Sequence, residues 1–228
     1  MEKGQIILVS GTSGAGKTTT ITEFSKRSTI PYLAFGVDIF LGQVLPIKFS
    51  MWGNRTKEGW YYFPTNPDDP ESEVQSGFGE VAWGAFNAMH DMVAAASNAG
   101  QNIIVDHILF EDPPVLRDCV CRLEGFPVLF VTVKPPREAL MERLATREVV
   151  MPEELGKLIG ETAFEETAKL MQRMTPWFYD AVYKNDCYDL VIDTTQHNPA
   201  EVCDLIQQRL DEGPGTAFDT LRDRYSKL

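Results

Sequence analysis

Positive charge is scarce in this chain: 21 lysines and arginines face 33 aspartates and glutamates, a formal net charge of −12 over 228 residues. Such a balance opposes nonspecific attraction to nucleic acid or anionic membrane, so a polynucleotide partner is disfavoured. Cysteine is sparse as well. Cys119, Cys121, Cys187 and Cys203 form no CxxC pair and have no histidine cluster at metal-ligand spacing, which reads as reduced, structural thiols. Apolar runs are all too short to span a bilayer. The first of them, Ile6–Val9, is too brief for a secretory core. A cytoplasmic location without a membrane partner is expected. Internal repeats and low-complexity tracts are also missing.

What is present is ordinary globular composition, 43% hydrophobic and 24% charged, enough to bury a sheet within one α/β domain. Strand and helix patterns alternate, which predicts a mainly parallel five-stranded sheet between helical layers. Strands are expected at Gln5–Val9, Tyr32–Phe35, Ile103–Val105, Pro127–Val133 and Tyr188–Ile192. Helices are expected from the glycine loop to about Arg27, over Val74–Ala99 (ended by Gly100), Val115–Leu123, Pro136–Arg147 and Pro199–Leu210, with a long helical region after Met151 broken near Pro176. Residues 1–212 read as one domain. Gly213-Pro214-Gly215 then marks a break before a polar tail, 213–228. Between Pro46 and Gly77 the periodicity fails, and the segment carries Trp52, Trp60, Tyr61, Tyr62 and Phe63; residues 46–77 read as an insertion.

Gly11-Thr12-Ser13-Gly14-Ala15-Gly16-Lys17-Thr18 matches GxxxxGK[ST], with a strand before it and helical sequence, beginning with Thr19, after it. Glycines permit a turn tight enough for several backbone N–H groups to face a phosphate, and the helix N-terminus adds its positive end. Lys17 is expected to reach the β- and γ-phosphates of ATP, and Thr18 to ligate Mg2+. Asp106, closing the apolar strand at 103–105, is placed as a second magnesium-holding residue, and His107 beside it as a pocket candidate. A GTPase is excluded by the wrong residue order at Lys184-Asn185-Asp186 and the lack of DxxG after Asp106. The chain is too short for a mechanical ATPase. A small-molecule kinase remains.

The P-loop, the Ala34-Phe35-Gly36-Val37-Asp38 element, the Ile103–Asp106 strand and Tyr188-Asp189 leading to Ile192-Asp193-Thr194-Thr195 occur in an order and spacing that resemble the chloramphenicol phosphotransferase family. The resemblance implies an adenylate-kinase-like three-layer P-loop NTPase fold. It also implies that Asp38 is the general base toward an acceptor hydroxyl, that Arg143 and Arg147 belong to a lid (143–160) closing on the phosphates, and that 193–199 approaches adenine. A carboxylate at a strand end suits the base role, since it can orient a hydroxyl for in-line attack. One departure stands out: Glu148-Val149-Val150 replaces the family's lid ending, so a third arginine is missing.

The expected partner is a small hydroxylated acceptor, chloramphenicol-like or a metabolite, beneath the aromatic insertion. Two alternatives remain open. A nucleoside or nucleotide kinase needs arginines to grip an acceptor phosphate, for which Arg55, Arg117 and Arg122 are available. A regulator binds nucleotide without efficient transfer and needs no base at Asp38. An acidic surface on the last helix and tail is compatible with a homodimer.

Overall fold

Ile6 to Ser10 is buried at every position, so it must lie at the centre of a sheet covered on both faces. The computed structural model, which describes residues 2–146 and 160–227, places it there as β1. On one side β1 pairs with β5 (Ile103–His107), which pairs with the edge strand β2 (Leu33–Gly36); on the other it pairs with β6 (Val128–Val133) and then β7 (Leu190–Ile192). All four pairings are parallel, giving the order β2-β5-β1-β6-β7. The P-loop leaves the C-terminal end of β1 and enters α1 (Lys17–Arg27) through Gly16, whose φ of 105° lies in the left-handed region that glycine favours.

Two separate cores fix the layers. One holds Ile7, Val9, Phe24 and Ile206, sealing α1 and α6 (Pro199–Asp211) against one face of the sheet. The other is larger and packs α2 (Glu80–Asn98), α3 (Val115–Arg122) and α5 (Glu161–Val182) on the opposite face through Phe86, Met89, Leu116 and Phe178. The remaining helices are α4 (Arg137–Ala145) and α7 (Ala217–Tyr225). At α6, Asn198 accepts from the backbone N–H of Ala200 and Glu201 while the Glu201 side chain accepts from the N–H of Asn198, a full capping box with Pro199 in the first turn.

The five-stranded parallel sheet expected from the sequence is present. Three expectations need correction. Val74–Phe78 is a strand, β4, antiparallel to β3 (Trp60–Pro64), so the helix expected from Val74 starts only at Glu80. Pro176 lies inside α5 without ending it. Residues 217–225 form a helix whose Ala217, Phe218 and Leu221 are buried in the larger core, where a polar tail was expected. Arg147 and Glu148–Val150 lie outside the described residues. Among the described residues no helix is long and apolar enough to cross a membrane.

Candidate active site

Asp106 reaches the site because β5 is in register with β1: Val9 pairs with Asp106, one residue before the strand gives way to the phosphate loop. Its Oδ2 accepts from the Thr18 hydroxyl at 3.3 Å, and its Oδ1 lies 3.5 Å from the Lys17 ammonium. The Lys17 Nζ also donates to the Thr12 carbonyl at 3.0 Å. These groups, with Asp38 and Arg143, line one cavity of about 340 Å³ over the P-loop. Thr12, Ser13, Gly14, Gly16 and Thr19 line it as well, whereas Gly11 and Ala15 support it from outside. Gly11 is pressed so closely on β6 that a Cβ would sit 2.8 Å from the Val133 carbonyl oxygen, and Ala15 is fully buried.

Asp38 arrives from the edge strand next to β5. β2 ends at Gly36, which pairs with Asp106, and the chain turns at once into a helical segment, Val37–Ile39, continued by a wider π-type turn, Phe40–Val44. This turn lifts Asp38 into the same cavity. It also means that Asp38 sits within a helical turn, two residues past the strand end at which the sequence placed it.

Burial pushes the Asp106 carboxyl above its ordinary 3.8; Lys17 opposes the shift and the charge of Asp38 adds to it. Asp106 Oδ1 is a buried oxygen without a hydrogen-bond partner. A carboxylate with an orphaned oxygen beside a hydroxyl is a hard oxygen donor pair, and it fits a magnesium ion accompanying a nucleotide.

Arg143 stands in the last turn of α4, and its guanidinium is already engaged. It donates to Thr194 Oγ1 and to the Thr194 carbonyl, each at 3.1 Å, and Thr194 Oγ1 donates in turn to the Ala15 carbonyl at 2.9 Å. The α4 end, the loop after β7 and the P-loop are thus stitched together. The sequence signalled the residues but not this pairing, since 51 positions separate them.

His107 does not line the cavity. It is fully buried on the other side of β5, stacked on Phe86 with ring centroids 6.1 Å apart. The Ile108 N–H can only donate, and it points at His107 Nδ1 (2.8 Å). Hence His107 Nε2–H donates to His90 Nε2 at 2.8 Å, and His90 Nδ1–H donates to Asp118 Oδ2 at 2.7 Å. The fold also brings Cys119 close to both histidines, their ligand atoms lying within 4.8 Å of one another. The sequence spacing gave no sign of this cluster, and the directed hydrogen-bond chain accounts for both imidazoles.

The aromatic insertion packs against the rest of the fold, with Trp60 and Tyr62 lying on the larger core. Trp60 Nε1 donates to Ser76 Oγ at 3.2 Å, the Tyr62 hydroxyl contacts Met51 Sδ at 3.4 Å, and burial raises the Tyr62 phenol pKa. None of Trp52, Trp60, Tyr61, Tyr62 and Phe63 lines the phosphate cavity or the smaller cavity beside it. The arginines a phosphate-bearing acceptor would need are committed elsewhere: Arg55 to Glu58, Arg122 to Asp91 and Asp118, and Arg117 over the Tyr225 ring.

The family model for chloramphenicol phosphotransferase-like proteins matches residues 4–211. The chain belongs to that family. Among solved structures it is similar to an unliganded sugar kinase from Janibacter sp. HTCC2649, 19% identical, over 91% of this chain and 95% of the other, with a TM-score of 0.53. It is also similar to the APS kinase CysC of Mycobacterium tuberculosis, solved in complex with AMPPNP and APS, at 13% identity over 92% and 99% of the two chains, TM-score 0.56. No curated protein matches the sequence. At these identities the structural likeness speaks to the fold, which is that of P-loop kinases, and with the family it makes this chain a P-loop kinase, a phosphotransferase.

Proposed function

We propose that the protein transfers the γ-phosphoryl group of ATP to a hydroxyl of a small, uncharged molecule, a chloramphenicol-like compound or a related metabolite. One observation carries this reading. A second cavity, of about 190 Å³, adjoins the phosphate cavity and shares Thr18, Asp38 and Asp106 with it, while its other walls include Ile21, Ala34, Phe35 and Ile39. Asp38 stands at the junction of a polar chamber suited to phosphates and an apolar one suited to a ring or aliphatic acceptor.

In this reading Lys17 and the P-loop amides hold the β- and γ-phosphates, and Thr18 with Asp106 would hold the accompanying Mg2+. The ion, when bound, supplies charge neutralisation to the phosphate oxygens. Asp38 accepts the proton of the acceptor hydroxyl as its oxygen attacks the γ-phosphorus; the bond to the bridging oxygen breaks and ADP leaves. Arg143 borders the phosphate cavity, where its permanent charge can offset charge developing on the transferring group.

The test is ADP release from Mg-ATP against hydroxylated antibiotics, sugars and nucleosides, for wild type and Asp38→Asn. An acceptor turned over by wild type and about a hundredfold or more slower in the variant, with ATP binding kept, supports the reading. Equal turnover in the variant would remove Asp38 as the base, and a phosphorylated, anionic acceptor as the preferred substrate would overturn the uncharged class.

A further inference from the structure

The hydrogen bonds between β1 and β6 follow a simple rule. Ile6 N–H donates to the Pro127 carbonyl at 2.9 Å, and the register runs unbroken from Ile6↔Val128 to Ser10↔Thr132. Carried two residues further, the same register sets the Thr12 N–H opposite the Val133 carbonyl. That rung is not made directly. The hydroxyl of Tyr183 sits in it, accepting from Thr12 N at 3.2 Å and donating to Val133 O at 2.6 Å. All three residues are buried, at 2%, 0% and 8% exposure for Thr12, Val133 and Tyr183.

A hydroxyl inserted in a rung keeps both backbone groups satisfied while holding the two strands farther apart than a direct bond allows. The place where it is inserted is the start of the phosphate loop. The other side of the same residue bears on the reacting groups, because the Thr12 carbonyl accepts from Lys17 Nζ at 3.0 Å. Tyr183 itself is anchored: it follows the end of α5, its ring packs edge-on against Tyr179 at 4.7 Å, and Tyr179 donates to the Pro135 carbonyl at 3.1 Å at the entry to α4.

We propose that Tyr183 is a positioning residue of the nucleotide site: its hydroxyl wedges the first turn of the phosphate loop off the sheet and so sets the Thr12 peptide against which Lys17 is aligned. This rests on the nucleotide-binding reading above. Nothing in the sequence motif marks the residue, which lies 171 positions from Thr12.

In Tyr183→Phe the wedge is gone and the Thr12 N–H can close directly onto the Val133 carbonyl, drawing the loop into the sheet. The expected result is a Kd for Mg-ADP, and a KM for ATP, raised about tenfold or more, with kcat at saturating ATP changed less. Tyr188→Phe is the matched control. It loses a half-buried hydroxyl, 3.5 Å from the Val182 carbonyl, with no contact to the phosphate loop, and should leave the nucleotide Kd unchanged. An unchanged Kd in a folded Tyr183→Phe, or an equal rise in Tyr188→Phe, overturns the proposal. Wild type that fails to bind Mg-ADP sinks the nucleotide reading itself. Should Tyr183→Phe not fold, amide hydrogen exchange on nucleotide-free wild type decides instead: the Thr12 amide should be protected like the amides of β1, and exchange at free-loop rates refutes the wedge.

Discussion

Gly36 lies directly across from Asp106, and a Cβ on Gly36 would fall 2.5 Å from the Asp106 Cβ and 2.9 Å from its carbonyl oxygen. The Gly36 φ of −161° is extended backbone that any residue adopts, so the requirement is purely one of space. Two residues later comes Asp38. The glycine thus lets β2 approach closely enough for a carboxylate on β5 and one in the turn just after β2 to share one cavity. Gly36→Ala must displace either β2 or Asp106. Turnover should fall about tenfold or more, while a thermal melt shifts only modestly because β2 is an edge strand. Wild-type kinetics in the alanine variant would show that the close approach is not needed.

Thr194 tests the stitching of the nucleotide site. Thr194→Val keeps the shape but removes the hydroxyl that accepts from Arg143 and donates to Ala15. Losing a hydrogen bond to a charged group costs about 1.5–3 kcal/mol at most in buried settings and less here, where Arg143 keeps the Thr194 carbonyl. The KM for ATP should rise several-fold with a smaller change in kcat. Arg143→Lys should not restore what Arg143→Ala loses, since an ammonium cannot bridge two acceptors with a planar fork. Lysine rescue would assign Arg143 a purely coulombic role.

The buried histidine chain gives the fold a pH dependence of defined sign. Burial first, and the neighbouring His90 second, hold the His107 imidazole well below its ordinary 6.5. The unfolded chain therefore takes up a proton that the folded chain refuses, and stability falls as pH drops below about 6.5. Asp118 adds a second, lower window. Burial alone would raise its carboxyl, but hydrogen bonds from His90 and Arg122 outweigh that and lower it, so its stabilisation is present above 3.8 and lost as pH falls through its depressed folded value. Melting temperature should decline between pH 6.5 and 5, before most carboxylates titrate. His107→Gln, which retains a donor toward His90, should flatten that decline.

The sheet and the phosphate loop were legible because their signals are local: an apolar run that must be buried on both faces, then glycines and a lysine at fixed offsets. Asp106 followed from the same kind of signal, an acid after an apolar run, whereas Asp38 rested on the resemblance of Ala34–Asp38 to the family motif, and it lies two residues past the end of β2. What escaped was decided by partners distant in sequence. Val74–Phe78 reads as the start of a helix because Val81, Phe86 and Met89 continue an apolar rhythm, yet it pairs with Trp60–Pro64 and so extends instead. The Arg143–Thr194 link, the tyrosine under Thr12 and the His90–His107 pair are juxtapositions that no spacing rule encodes.

The C-terminal segment shows this most sharply. Gly213-Pro214-Gly215 and the charges of 219–224 read as a polar tail, but a short amphipathic helix needs only three buried positions, and Ala217, Phe218 and Leu221 supply them at i, i+1 and i+4. What fixes the helix is Asp189, its side chain almost fully buried, whose Oδ1 accepts from the N–H of Thr216 and of Ala217 while Oδ2 accepts from the N–H of Phe130. One carboxylate thereby ties the start of α7 to β6, and Phe218 then packs edge-on to Phe130 at 5.3 Å. Phe218→Ala should cost about 3–5 kcal/mol, lowering the melting temperature by roughly 10 °C in a chain of this length. The site is on the far end of β6, so ATP affinity at a temperature where the variant is folded should be unchanged. A variant that melts with wild type would mean that residues 213–228 are the dispensable tail the sequence suggests.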